Sequence, residues 1–214
     1  MTDAPMTAVL ISGLLGALVT PFLVRRGLGQ LTWSRPLPRW HSLLCAATGF
    51  GLGSAAVGLT ASRENLALLP ALIVWSLALT AIAWCDSIAR RIPTPLVRHA
   101  TVAVFVLLTA GAVVANSWGT WGAGLGGALL MAGALMAAWR YAGAGRGDVR
   151  LAALGGLGLG FASAVGLIAG LLAWAVVTLL QSIRAVARGG SLKTEIALAP
   201  GLAIGLFVAA LPSW

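Results

Sequence analysis

The chain has 214 residues, 59% of them apolar and only 9% charged, with a formal net charge of +9 and a mean hydropathy of +0.96. A soluble domain of this length has no use for so much apolar surface, whereas each membrane-spanning helix needs about 20 apolar residues, so the composition excludes a soluble protein. The positive charge does not point to nucleic acid either: no basic helix or basic–aromatic pattern is present, and the arginines fall in short clusters between apolar runs, as positive-inside topology produces.

Apolar runs cover residues 8–24, 43–60, 66–85, 97–115, 118–139, 149–161, 164–182 and 196–211. The first is not a cleaved signal peptide by pattern, because its N-terminal flank lacks basic residues and further spans follow. Lysine and arginine alternate between rich and poor connections. Arg25, Arg26, Arg35 and Arg39 mark the first, Arg63 alone the second, Arg90, Arg91 and Arg98 the third, and the fourth has none. Arg140, Arg146 and Arg150 mark the fifth, and Arg184, Arg188 and Lys193 the last. The alternation holds only if the stretch 151–182, too long for one span, crosses twice with an uncharged turn at 158–163. The expected fold is an all-α polytopic bundle of about eight spans, in a range of six to eight, with both termini outside. It forms a single membrane domain over residues 1–214.

Trp33, Trp40, Trp84, Trp118, Trp121, Trp139 and Trp214 sit near the predicted helix ends, as interfacial anchors do. Glycine and alanine are dense in 122–133 and 155–170 and supply small faces for close helix packing. No internal repeat supports an inverted-repeat transporter. Cys45 and Cys85 lie in or near separate runs without a CxxC, so neither a structural disulfide nor a metal site is expected, and no cofactor is implied. His41 and His99 lack partners at ligand spacing and read as interface residues.

Only five acidic residues are present: Asp3, Glu64, Asp86, Asp148 and Glu195. Asp86 and Asp148 fall at the edges of apolar runs, on the side the arginine count makes cytoplasmic. An ionisable group there costs free energy and marks a functional site by default. Each also has an ordinary reading. Asp86 can pair with Arg90 at i+4 for a few tenths of a kcal/mol, although it closes a helix at the end where the macrodipole disfavours negative charge. Asp148 can cap a new helix, with Gly145 and Gly147 providing the turn. As a pair they can do chemistry: two carboxylates in one confined site cannot both ionise comfortably, so they share a proton and titrate as a unit.

Asp86 followed by Ile92-Pro93, and then Gly145-Arg146-Gly147-Asp148-Val149-Arg150-Leu151, resembles the type IV prepilin peptidases, GxGD-type intramembrane aspartic peptidases of the bacterial inner membrane. A looser echo of their C-terminal segment is found at Ile196, Pro200 and Leu202. The resemblance covers residues 66–214. It implies Asp86 and Asp148 as the catalytic pair, Gly145 and Gly147 as shapers of the loop presenting Asp148, and Ile92, Pro93, Arg150 and Pro200 as further residues that shape the site or bind substrate. Arg150 stands for the family's lysine, and Thr94 for its frequent asparagine. The paired CxxC motifs of the bifunctional, methylating members are missing, so the chain is similar to the peptidase-only form.

The implied substrate is a prepilin or pseudopilin with a short basic leader, cut at the cytoplasmic face of the bacterial plasma membrane. The basic loops fit such a leader poorly; anionic lipid accounts for the arginines, and Glu195 is a candidate leader contact. Two other readings use the same aspartates: a proton-coupled carrier, which would accumulate substrate without cutting peptides, and a non-catalytic scaffold, in which each acid pairs with an arginine. The oligomeric state is open.

Overall fold

A computed structural model describes residues 6–31, 38–61, 66–142, 145–187 and 197–210, and these are almost wholly helical. Among the described residues eight α-helices follow in order: α1 Met6–Gln30, α2 Arg39–Ala61, α3 Leu69–Ala89, α4 Thr94–Ala115, α5 Trp118–Ala142, α6 Arg146–Leu157, α7 Ala164–Ala187 and α8 Leu198–Ala210. Each corresponds to one apolar run of the sequence. Among the described residues five stretches are long and apolar enough to cross a membrane: Val9–Gln30, Leu66–Ala89, Thr94–Ala115, Trp118–Tyr141 and Ala164–Arg184. The protein is membrane-integral.

The helices turn where the sequence chemistry stops them. Arg90 and Asn116, in the left-handed region at φ 51° and 49°, end α3 and α4, and each donates its N–H back to the carbonyl four residues earlier. Pro93, in extended backbone before α4, and Pro95 in its first turn need no helical donor there. The long stretch after Asp148 does break, as the glycines predict: α6 ends at Leu157, a 3-10 turn covers Gly158–Phe161, and α7 begins at Ala164.

Consecutive helices pair as antiparallel hairpins, α1 with α2, α3 with α4, α5 with α6 and α7 with α8. Three of the pairs touch backbone to backbone through a glycine on each helix: Gly16 and Gly49, Gly127 and Gly156, Gly170 and Gly205. A Cβ on Gly127 would stand 2.5 Å from the Gly156 carbonyl oxygen, and one on Gly205 2.7 Å from that of Gly170, so a side chain on any of these would drive the pair apart.

α3 lies at the centre, packed by α1, α2, α4, α6 and α8, and 61% of its span is buried against 11% for that of α7. Leu72, Trp75, Leu79 and Ile82 of α3 meet Val97, Val104 and Leu108 of α4, Leu151 and Leu154 of α6, and Leu202 and Leu206 of α8 in one core. Outward-facing Val165, Ile168, Leu172, Val176 and Leu179 of α7 are exposed, as suits a lipid-facing surface. The Trp75 indole N–H donates to the Leu154 carbonyl at 3.0 Å in the middle of this core. That carbonyl is available because the Gly158 N–H, at the switch to 3-10 geometry, turns to Gly155 and Gly156 instead. The same indole packs edge-on against Phe207, with ring centroids 5.5 Å apart, so Trp75 ties α3 to both α6 and α8.

Candidate active site

Asp86 occupies the last turn of α3 and is 6% exposed. The sequence offered Arg90 as its partner, but among the described residues neither aspartate forms an ion pair. Arg90 serves α3 only through its backbone N–H, which meets the Asp86 carbonyl at 2.8 Å. The Asp86 side chain turns instead to α8, where its Oδ2 accepts the Ala199 N–H at 3.0 Å. Ala199 lies in the first turn of α8, whose free amides and positive dipole end favour an anion, while the C-terminal end of α3 disfavours one. A buried hydrogen bond to a charged group is worth about 1.5–3 kcal/mol, enough to offset the unfavourable position. Pro200 follows Ala199 and has no N–H to compete with it.

Asp148 sits in the first turn of α6, where its Oδ2 accepts the N–H of Gly145 at 3.0 Å and its own N–H returns to the Gly145 carbonyl at 3.1 Å. The helix start differs from the expected one: Gly145 is the N-cap, and Asp148, two residues inside the helix, reaches back over the first turn to the Gly145 N–H. Asp148 is half-buried and lies outside the five candidate spans. Burial pushes its carboxyl above the ordinary carboxylate range, against the opposing effect of the Gly145 N–H. Neither glycine of the Gly-x-Gly stretch is there for a left-handed turn. Gly145 has φ −77°, and a Cβ on it would stand 3.1 Å from Asp148 Oδ2. A Cβ on Gly147 would stand 3.1 Å from the Cβ of Ile92. Both glycines make room for the neighbour that touches them.

These contacts join the two motifs. Ile92 packs on Gly147, and Arg150 Nη1 donates to Thr94 Oγ1 at 3.1 Å, so the turn after α3 is clipped to the first turn of α6 at two points. That clip sets the first turn of α6, with Asp148, beside the last turn of α3, with Asp86. Pro93 is buried, and its ring would lie 3.3 Å from a Cβ on Gly27, which holds the turn down on α1. The structure thus gathers Asp86, Asp148, Gly145, Gly147, Ile92, Pro93, Arg150 and Pro200 at one end of the bundle. Glu195 and Ile196 lie outside the described residues.

Each carboxylate is pinned through Oδ2, and among the described residues Oδ1 of both has no hydrogen-bond partner. Comparison with protein-family models, curated proteins and solved structures finds no match. The geometry is therefore the ground for a functional reading. What the residue pattern missed was the donor on Asp86, since a backbone amide leaves no trace in residue type. The one available sign was Pro200, a residue suited to the first turn of a helix. His41 and His99 lie away from the aspartates' partners: His41 packs on Trp40 with ring centroids 3.5 Å apart and its buried Nδ1 without a hydrogen-bond partner among the described residues, and His99 Nδ1 lies 2.7 Å from the Pro95 carbonyl oxygen. Among the described residues no cluster of histidine, cysteine or carboxylate could hold a metal ion.

Proposed function

We propose that this chain is a membrane aspartic endopeptidase of the type IV prepilin peptidase kind, removing the basic leader of prepilin-like proteins by water attack on a peptide bond. The observation that carries the reading is the carboxylate arrangement. Two acids from separate helices lie at one end of an apolar bundle, each fixed by a single backbone amide and each with its second oxygen without a partner among the described residues. In such a pair the ionised member takes a proton from water while the protonated member donates to the peptide carbonyl. When the tetrahedral intermediate collapses, the first acid gives its proton to the leaving amine and the second regains one from the intermediate's hydroxyl, so the starting pair is restored.

The arginine distribution supports an eight-crossing topology with this end at the cytoplasmic face of the bacterial plasma membrane. There a leader would still be accessible before the apolar segment that follows it. The absence of arginine partners on either acid among the described residues counts against a purely structural role.

The test is co-expression with a candidate prepilin, as wild type, Asp86→Asn and Asp148→Asn, with the substrate followed by gel mobility and mass. Wild type should cut, and each variant should lose at least about 100-fold in rate while inserting normally. Normal processing by either variant would end the assignment.

A further inference from the structure

Beside the carboxylates, α2, α3 and α8 leave an open trough of about 440 Å³. Its floor is a single stripe of α3, Thr80, Ala83, Trp84 and Ser87, at the i, i+3, i+4, i+7 spacing of one helix face. One wall repeats that spacing on α8 with Pro200, Ala203, Ile204 and Phe207; the other is Thr48, Gly51 and Leu52 of α2. At the upper end, Ser87 adjoins Asp86 and Pro200 adjoins its amide donor Ala199. Thr80 and Phe207 lie two turns deeper, about 10 Å at the helical rise of 1.5 Å per residue. The trough therefore starts beside the candidate active site and descends parallel to the helices into the apolar layer.

We propose that this trough seats the first two turns of the substrate's apolar helix, immediately after the scissile bond. The proposal rests on the peptidase reading and adds where the substrate is held. Adjacency to the Asp86 site decides the occupant: the upper end is lined by Ser87 and Pro200, the chain neighbours of Asp86 and of its amide donor, so whatever fills the trough ends beside the carboxylates. The lining suits a helix. Gly51, Ala83 and Ala203 are small and allow close backbone approach. The hydroxyls are already used, with Thr80 donating to the Ser76 carbonyl at 2.8 Å and Ser87 to that of Ala83 at 2.8 Å, so a polar ligand would find no free donor in them. Trp84 is held against the α2 wall by its N–H to Thr48 Oγ1 at 3.2 Å, and its ring forms a fixed side of the entrance. A peptide bond undergoing attack must be extended, whereas the segment in the trough is helical. The cut therefore falls within about one turn of the helix start.

Gly51 is the position for the test, because a Cβ there meets nothing within 4 Å and a larger side chain enters the trough without displacing the fold. Wild type and Gly51→Trp would be reconstituted in phosphatidylethanolamine–phosphatidylglycerol vesicles with two synthetic substrates. Both carry the same basic leader and cleavage sequence; one continues into an apolar helix of about 20 residues and the other into a short polar tail. Gly51→Trp should lower the ratio of helix-bearing to short-substrate cleavage roughly ten-fold or more. In parallel, a photoreactive benzoylphenylalanine replacing Gly51 should form an adduct with the first two turns of the helix-bearing substrate, mapped by mass. An unchanged ratio, or adducts with lipid acyl chains alone, overturns the seat and leaves the peptidase reading standing. A substrate adduct without cleavage by wild type keeps the seat for an apolar helix and removes the peptidase. Neither adduct nor cleavage overturns both.

Discussion

Trp75→Phe is the most discriminating test of how the site is held together. Trp75 and Leu154 are 1% and 0% exposed, and the indole N–H is the donor that meets the Leu154 carbonyl, at 3.0 Å. Phenylalanine keeps a ring against Phe207 but removes the donor, leaving a buried carbonyl unsatisfied at about 1–3 kcal/mol. The smaller ring also leaves a void, adding about 1 kcal/mol for a volume of a few tens of Å³. The expected total is about 2–4 kcal/mol, read from reversible unfolding of the purified protein in mild detergent. Trp84→Phe is the control, since its N–H meets a hydroxyl at 3.2 Å in an exposed position, and it should cost about 1 kcal/mol or less. A Trp75→Phe loss no greater than that of Trp84→Phe would refute the claim that the α6 break is stabilised from α3. Because Trp75 also sets the spacing of α3 from α6, the variant should cut more slowly than wild type even where it is fully folded.

Gly156→Ala should destabilise by about 1–3 kcal/mol, because its methyl meets the Gly127 backbone across the α5–α6 contact. Gly126→Ala, with nothing within 4 Å of its methyl, should be neutral or stabilising by up to about 1 kcal/mol, both read from the same unfolding assay. Arg150→Met and Thr94→Val remove the two ends of one exposed hydrogen bond, so each should shift stability by less than about 1 kcal/mol yet slow leader cleavage, with the double variant no slower than the worse single one. Additive losses in rate would show that the two residues act separately. Burial favours the protonated form of Asp148 in the folded chain, so the stability this proton confers is full below the ordinary carboxylate value of 3.8 and is lost as pH rises through the raised folded value. Unfolding midpoints measured from about pH 4 to about pH 8 should therefore fall more steeply for wild type than for Asp148→Asn, and parallel curves would contradict the burial argument.

The helices were legible because a bilayer demands long apolar runs, and each of the eight runs became one helix. The break after Leu157 was legible for the opposite reason: Gly158 and Gly160 sit in a largely apolar stretch of 32 residues, 151–182, too long for one span, and α6 and α7 part there. Both aspartates stood out through their rarity, and their placement at one membrane face followed from the arginine count, while their pairing was only implied by the resemblance of the two motifs. The partners of polar groups were not legible. Asp86 was offered Arg90 by helical spacing and took the Ala199 amide from a helix 113 residues away in sequence. Trp75, read only as apolar content, is the donor that satisfies the carbonyl freed by the 3-10 turn. Local periodicity can suggest a neighbour within one helix, but it carries no information on which backbone groups a distant helix end leaves unpaired.

The parts of the site belong to different hairpins, and this bears on the order in which the protein becomes active. Asp86 arrives with the second hairpin, Asp148 with the third and the Ala199 amide only with the fourth. A nascent chain with two hairpins in the membrane holds one acid and no donor for it; a chain with three holds both acids, but Asp86 still lacks its amide. The complete constellation exists only after the last helix has inserted and docked on α3. Synthesis from the N-terminus thus imposes an interval during which the proposed peptidase, lying among other newly made membrane proteins, still lacks part of its site.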